Sequence, residues 1–137
     1  MRTRATRRND HSDQEQVLYM AFELGHRKWC IQFGDGKRVR TIEMPSRDTD
    51  RLLKEMENAR SKFGLGTGCR VLSCYEAGWD GFWLHRFLGV HGVENLVVDP
   101  ASIEVNRRYR RAKTDRLDVG KLHVLLLRHA RERDHGF

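Results

Sequence analysis

The hydrophobic pattern begins at Val17, where VLYMAFEL is a continuous apolar run, followed by the turn GHRK, a second apolar run WCIQF, the glycine-containing turn GDGK and the alternating segment RVRTIEM. Short runs bounded by turn residues predict three hairpin-linked strands. Ser46, Asp48 or Thr49 can cap a helix whose apolar positions Leu52, Leu53, Met56, Ala59 and Phe63 recur at helical spacing, and glycines end it. CRVLSCY then reads as a strand buried on both faces. Ala77 to His91 carries Trp79, Phe82, Trp83, Phe87 and Leu88 on one broad apolar side, which predicts a helix. VENLVVD is a strand that stops at Pro100, because proline disfavours helix at the residue before it. A last helix is predicted from near Thr114 to Arg131. The order βββ-α-β-α-β-α predicts an α/β fold, a mixed sheet with helices on both faces. Residues 1–16 have no apolar period and read as a mobile basic leader, 17–131 as the folded domain and 132–137 as a tail.

The 137 residues amount to one domain, and 39% hydrophobic residues fill its core without disulfides. Cys30, Cys69 and Cys74 form no C-x-x-C pair and read as reduced thiols. No stretch reaches the roughly 20 apolar residues of a membrane span, and MRTRATRRND lacks the apolar core of a secretion signal, so a soluble intracellular protein without a membrane partner is expected.

With 26 Lys+Arg against 19 Asp+Glu, the net charge is +7. The excess sits at the C-terminal end, where Arg107, Arg108, Arg110, Arg111, Lys113 and Arg116 crowd together. Such a density repels itself unless a polyanion or solvent screens it, and the phosphate backbone of a nucleic acid is the obvious polyanion. A solvated basic face or flexible basic arm explains the run equally well.

The acids add a second pattern. Glu23 lies near the end of the first strand, on the side of Val17, Tyr19 and Ala21 by two-residue alternation. Glu76 follows the fourth strand, at the end where sheets with parallel strands place their sites. Asp115 and Asp118 are three apart on the predicted last helix, on the face that continues through Leu122 and Leu125. These four carboxylates can converge, and all-oxygen ligands favour Mg²⁺ or Mn²⁺. Taken singly, each has a plainer reading as an edge-strand charge, a helix-start acid or a partner for Arg111 or Arg116.

Three segments together carry a resemblance: VDPASIEVNRRYRRAKTDRLDVGKL from Val98 to Leu122, LSCYEAGWDGFWLHRFL from Leu72, and AFELGHRKW from Ala21. Over residues 17–130 the chain resembles the DEDD transposases of insertion sequences, whose ribonuclease H-like domain is similar to the RuvC resolvase and related to the Piv and MooV invertases. The resemblance implies an acidic tetrad of Glu23, Glu76, Asp115 and Asp118 holding Mg²⁺ or Mn²⁺ for phosphodiester cleavage and transfer during DNA transposition. It departs at Glu23, where the family usually has aspartate.

The resemblance also implies DNA as substrate and a structured guide RNA (bridge RNA) as partner, with Arg107, Arg108, Arg110, Arg111, Lys113 and Arg116 as the nucleic-acid contacts. A bacterial cytoplasmic, nucleoid-associated protein follows, with homo-oligomers as a further implication. Family members continue into a helical connector and a domain supplying a serine nucleophile. The 137-residue chain is therefore expected not to complete recombination alone. The competing expectation is a non-catalytic module that binds guide RNA or DNA.

Other signals are set aside on physical grounds. Cys69 and Cys74 bracketing one strand point to opposite faces, against a zinc site with His85 and His91. Gly64, Gly66 and Gly68 precede a strand, whereas a phosphate-cradling loop follows one. Trp79, Phe82, Trp83 and Phe87 read as core rather than as a base-stacking surface, and neither Ser73 nor Ser102 lies in a nucleophile motif.

Overall fold

A computed structural model describes residues 16–78, 82–99 and 117–136. Its elements are β1 (Val17–Leu24), β2 (Lys28–Gly34), β3 (Val39–Pro45), α1 (Thr49–Lys62), β4 (Arg70–Glu76), α2 (Trp83–Val90), β5 (Glu94–Val98) and α3 (Val119–Gly136). They form one five-stranded mixed sheet in the order β3-β2-β1-β4-β5. β1, β2 and β3 pair antiparallel, as their short turns require, while β1–β4 and β4–β5 are parallel and joined through helices. This is the α/β class that the hydrophobic pattern predicts.

Two-residue alternation sends each strand's side chains to two cores. Leu18, Met20, Phe22 and Leu24 of β1 join Trp29, Ile31, Phe33 and Met44 against Leu52, Met56 and Ala59 of α1 and Leu84 and Leu88 of α2. On the other face Val17 and Ala21 join Leu72, Cys74 and Val98 beneath Leu122, Leu126 and Ala130 of α3. β1 and β4 are thus covered on both sides, which is why their sequences read as continuous apolar runs.

Local chemistry fixes the ends of these elements. Asp48, among the three candidate caps, accepts the Arg51 backbone N–H at 3.0 Å. In the β1–β2 turn the Gly25 N–H donates to the Lys28 carbonyl at 3.0 Å, and a Cβ on Gly25 would lie 2.6 Å from that oxygen. Arg47, between β3 and α1, has φ 65°. For a residue with a Cβ that conformation costs about 1–2 kcal/mol. Ser46 holds it in place, donating its N–H to the Arg27 carbonyl at 2.9 Å and its hydroxyl to the His26 carbonyl at 2.7 Å.

Three boundaries differ from the sequence reading. α2 begins at Trp83 rather than Ala77, because strand pairing persists through Ala77, whose N–H donates to the Val98 carbonyl at 2.7 Å. α3 begins at Val119, with Leu117 and Asp118 outside it, so Asp118 is not a residue of a helix face. It stands at the cap, where its Oδ1 accepts the Lys121 N–H at 2.8 Å. The helix also runs on to Gly136, so residues 132–136 of the predicted tail are helical. The first strong helix breaker after Arg131 is that glycine. Among the described residues no helix is long and apolar enough to cross a membrane.

Candidate catalytic carboxylate site

β1 and β4 are parallel neighbours in the register Phe22↔Tyr75, so the next residue on each strand, Glu23 and Glu76, lies at the same level. Adjacent strands are about 4.8 Å apart, which brings two acids side by side at the carboxyl ends of the strands. Both reach toward the start of α3. Glu76 Oε1 accepts the Leu117 N–H at 2.9 Å, and Glu23 Oε1 accepts the Val119 N–H at 3.3 Å. Asp118 stands between these two donors and caps the helix with its own carboxylate. N–H groups at a helix start have no intrahelical partner and carry the positive end of the helix dipole, so they offset the repulsion among acids gathered there.

The structure thus brings Glu23, Glu76 and Asp118 to one end of the sheet, from three elements separated by up to 95 residues of chain. Asp115 lies outside the described residues, as do Arg107, Arg108, Arg110, Arg111, Lys113 and Arg116. Among the described residues no three His, Cys, Asp or Glu side chains are grouped closely enough to hold a metal ion together. As a donor set, the three carboxylates offer only oxygen, which suits a hard divalent cation. One oxygen of each is engaged by a backbone N–H.

Negative charge extends along the sheet from this point. Cys30 of β2 is the register partner of Glu23, and Glu43 of β3 is the partner of Cys30. Burial, then the charges of Glu23 and Glu43, push the Cys30 thiol up. It therefore stays protonated and is a poor nucleophile. Cys74 is raised further, to about 12, by burial, and its Sγ lies 3.3 Å from the Leu122 carbonyl under α3. Cys69 packs against the opposite core, so the two cysteines diverge as a shared zinc site cannot. His85 is engaged with Asn95 at 2.9 Å, and Asn95 accepts the Ser73 hydroxyl at 2.6 Å.

Trp83 and Phe87 pack on the core, as their spacing predicts, but Phe82 is 56% exposed. Trp79 lies outside the described residues. Sequence reasoning missed the placement of Arg47, whose guanidinium lies 5.9 Å from the centre of the Trp83 ring. The turn composition Pro45-Ser46-Arg47-Asp48 was the available signal. A cleft of about 270 Å³ lined by Arg70, Ser73, Glu94, Asn95, His129 and Arg133 lies at the other end of β4 from Glu76.

The fold and the strand-end acids define an α/β domain with a carboxylate site at the carboxyl edge of its parallel strands. No protein-family model matches the chain. Over 120 residues, 84% of its length, the chain is 37% identical to the Sinorhizobium fredii protein named "Putative transposase y4rJ". It spans 30% of that relative's length.

Proposed function

We propose that this chain is the carboxylate-bearing domain of a DNA transposase of the DEDD, RuvC-like type, with a ribonuclease H-like fold. The observation that carries the reading is the convergence of Glu23, Glu76 and Asp118 at the start of α3. The similarity to a protein named as a transposase over 84% of the chain supports it independently.

In this reading Glu23, Glu76, Asp118 and Asp115 would draw together to hold Mg²⁺ or Mn²⁺, which would supply charge neutralisation at the phosphate and activation of the attacking oxygen. Glu76 and Glu23 join the two parallel strands to the segment carrying Asp118, so the acids keep their spacing as DNA arrives. The attacking hydroxyl oxygen forms a bond to phosphorus while the bond to the leaving oxygen breaks. Arg107, Arg108, Arg110, Arg111, Lys113 and Arg116 bind phosphates of DNA or of a guide RNA. The rest of a protein of the relative's length supplies the remaining steps of recombination.

A non-catalytic nucleic-acid-binding module is the second reading, favoured by the engagement of one oxygen of each acid with backbone N–H groups. Fluorescence anisotropy with a labelled DNA duplex, with and without Mn²⁺, separates the two. The catalytic reading expects the metal to tighten binding by about tenfold, equivalent to ~1.4 kcal/mol, and expects Glu76→Gln to abolish that gain. Equal affinity with and without Mn²⁺ in both proteins contradicts it.

A further inference from the structure

The two edges of the sheet are built differently. At one edge β3 carries Arg40 and Glu43 and ends in Pro45, residue types that keep an exposed strand from pairing with another chain. At the other, β5 reads Glu94-Asn95-Leu96-Val97-Val98, with three apolar residues in a row and neither lysine nor proline. Its one charge, Glu94, is engaged by Arg70 at 2.9 Å. Among the described residues no strand pairs with the outer side of β5. The Val98 carbonyl accepts the Ala77 N–H at 2.7 Å, on the side of β4. By alternation along the strand, the N–H and C=O groups of Asn95 and Val97 point the other way, outward from the sheet.

The flanks of this edge are shaped to receive something. α3 lies over β1, β4 and β2, and between it and β5 are two cavities of about 270 and 260 Å³ that share Leu96 and His129 as walls. Leu96 and Leu125 are partly buried there and form an apolar floor. On the opposite flank Phe82, 56% exposed, stands edge-on to His85, which is joined to Asn95 at 2.9 Å. Arg128 and Glu132, one turn apart on α3 and both exposed, line the second cavity on either side of His129. A basic and an acidic side chain so placed are self-complementary under a two-fold axis: Arg128 of one copy meets Glu132 of the other, and the reverse.

We propose that β5 is the interface for a second copy of this chain, the two β5 strands pairing antiparallel about Leu96 so that the five-stranded sheets join edge to edge. In that register Asn95 of one copy exchanges backbone hydrogen bonds with Val97 of the other, the two Leu96 side chains meet on the α3 face, and Arg128 and Glu132 pair across the axis. Reversal of strand direction sets the carboxylate sites of the two copies at opposite ends of the joined sheet. The interface is independent of the transposase reading, and its test involves no DNA.

The test is sedimentation of the full chain, without nucleic acid or metal, over a wide concentration series. The wild type is expected to pass from monomer to dimer. Arg128→Glu and Glu132→Arg, at exposed positions that leave both cores untouched, are each expected to weaken self-association about tenfold, because each turns two exposed ion pairs repulsive. An equimolar mixture of the two variants is expected to recover the dimer, since each supplies at both contacts the charge that the other lacks. Hydrogen exchange at the Asn95 and Val97 amides is expected to slow as the wild-type concentration rises.

A wild type that stays monomeric at every concentration overturns the proposal, as does a dimer unmoved by either charge reversal or a mixture of variants that fails to recover it. Asn95 and Val97 amides equally protected at all concentrations would also overturn it, by showing that another part of the same chain covers the edge.

Discussion

The two faces of the sheet are made by the same strands and serve different ends. Toward α1 and α2 the strands send their largest side chains, among them Phe22, Trp29, Phe33 and Tyr75, all essentially fully buried. Trp29 there meets Phe22 edge-on, with ring centres 6.0 Å apart. Toward α3 they send smaller groups, Val17, Ala21, Cys74 and Val98, and that face ends in Glu23 and Glu76. It also buries His123, 3% exposed, with neither ring nitrogen in a hydrogen bond. Its bulk of buried apolar surface makes the first face a foundation, although the indole N–H groups of Trp29 and Trp83 are buried there without hydrogen-bond partners. The second gives up part of that stability to bring a helix start against two strand-end acids.

The sharpest way to break this comparison is to remove one anchor from each face. Trp29→Ala is expected to cost about 3–5 kcal/mol and to lower the denaturant midpoint of the whole domain. Leu122→Ala is expected to cost less, about 2–4 kcal/mol, with hydrogen exchange rising first in α3 and at Val119. Uniform exchange across the domain in Leu122→Ala would contradict a separable α3 face.

A smaller effect is expected at Gly34, where an added Cβ would lie 2.7 Å from His123 Nε2 and 3.1 Å from the Arg38 carbonyl oxygen. Gly34→Ala is expected to destabilise by about 1–3 kcal/mol through overpacking. Combining it with His123→Ala should recover much of that loss in a double-mutant cycle. Additive costs would show that the clash is with the backbone alone.

His123 also sets a pH dependence. Burial lowers its pKa below the usual 6.5, and the Gln32 backbone offsets this only in part, without a hydrogen bond of acceptable geometry. The unfolded chain then takes up the proton first. Its contribution to stability is whole above about pH 6.5 and falls as pH drops below that value toward the folded-state pKa, by at most ~1.4 kcal/mol per pH unit. His123→Leu should flatten that part of the stability profile measured by denaturant titration, while an unaltered profile would place the acid sensitivity elsewhere.

The smallest effect is expected at Glu94, whose carboxyl is held below its usual range by hydrogen bonding to Arg70, at 2.9 Å, against the opposing effect of burial. Its side chain is 48% exposed, so solvent screens the pair. Glu94→Gln should cost well under ~1 kcal/mol. That difference should vanish as pH falls through the folded-state pKa of Glu94, because a depressed acid stabilises only while ionised.

Much of this architecture is legible in the residues. The runs around Leu18 and Val71 mark doubly covered strands, and Gly25 and Gly36 mark the hairpin turns. Glu23 and Glu76 are identifiable as strand-end acids because alternation and strand ends are local properties. The starts of α2 and α3 were not legible in this way. Ala77 remains in strand pairing because Val98 accepts its N–H, and Leu117 gives its N–H to Glu76, 41 residues earlier. Such competition from distant partners leaves no trace in helical periodicity. The same holds for Arg47, whose position depends on the Trp83 ring and on Ser46 binding the preceding hairpin. Asp115 and the Arg107–Arg116 cluster lie outside the described residues, so their place in the site rests on the sequence.

The most direct test of the central claim, that acids from β1, β4 and the start of α3 act as one site, is a calorimetric Mn²⁺ titration with a short DNA duplex present. Wild type, Glu23→Gln, Glu76→Gln, Asp115→Asn and Asp118→Asn would be compared at one pH. Saturable binding is expected in the wild type, with its loss in each variant that still folds. Equal heats from all five proteins would contradict a shared carboxylate site.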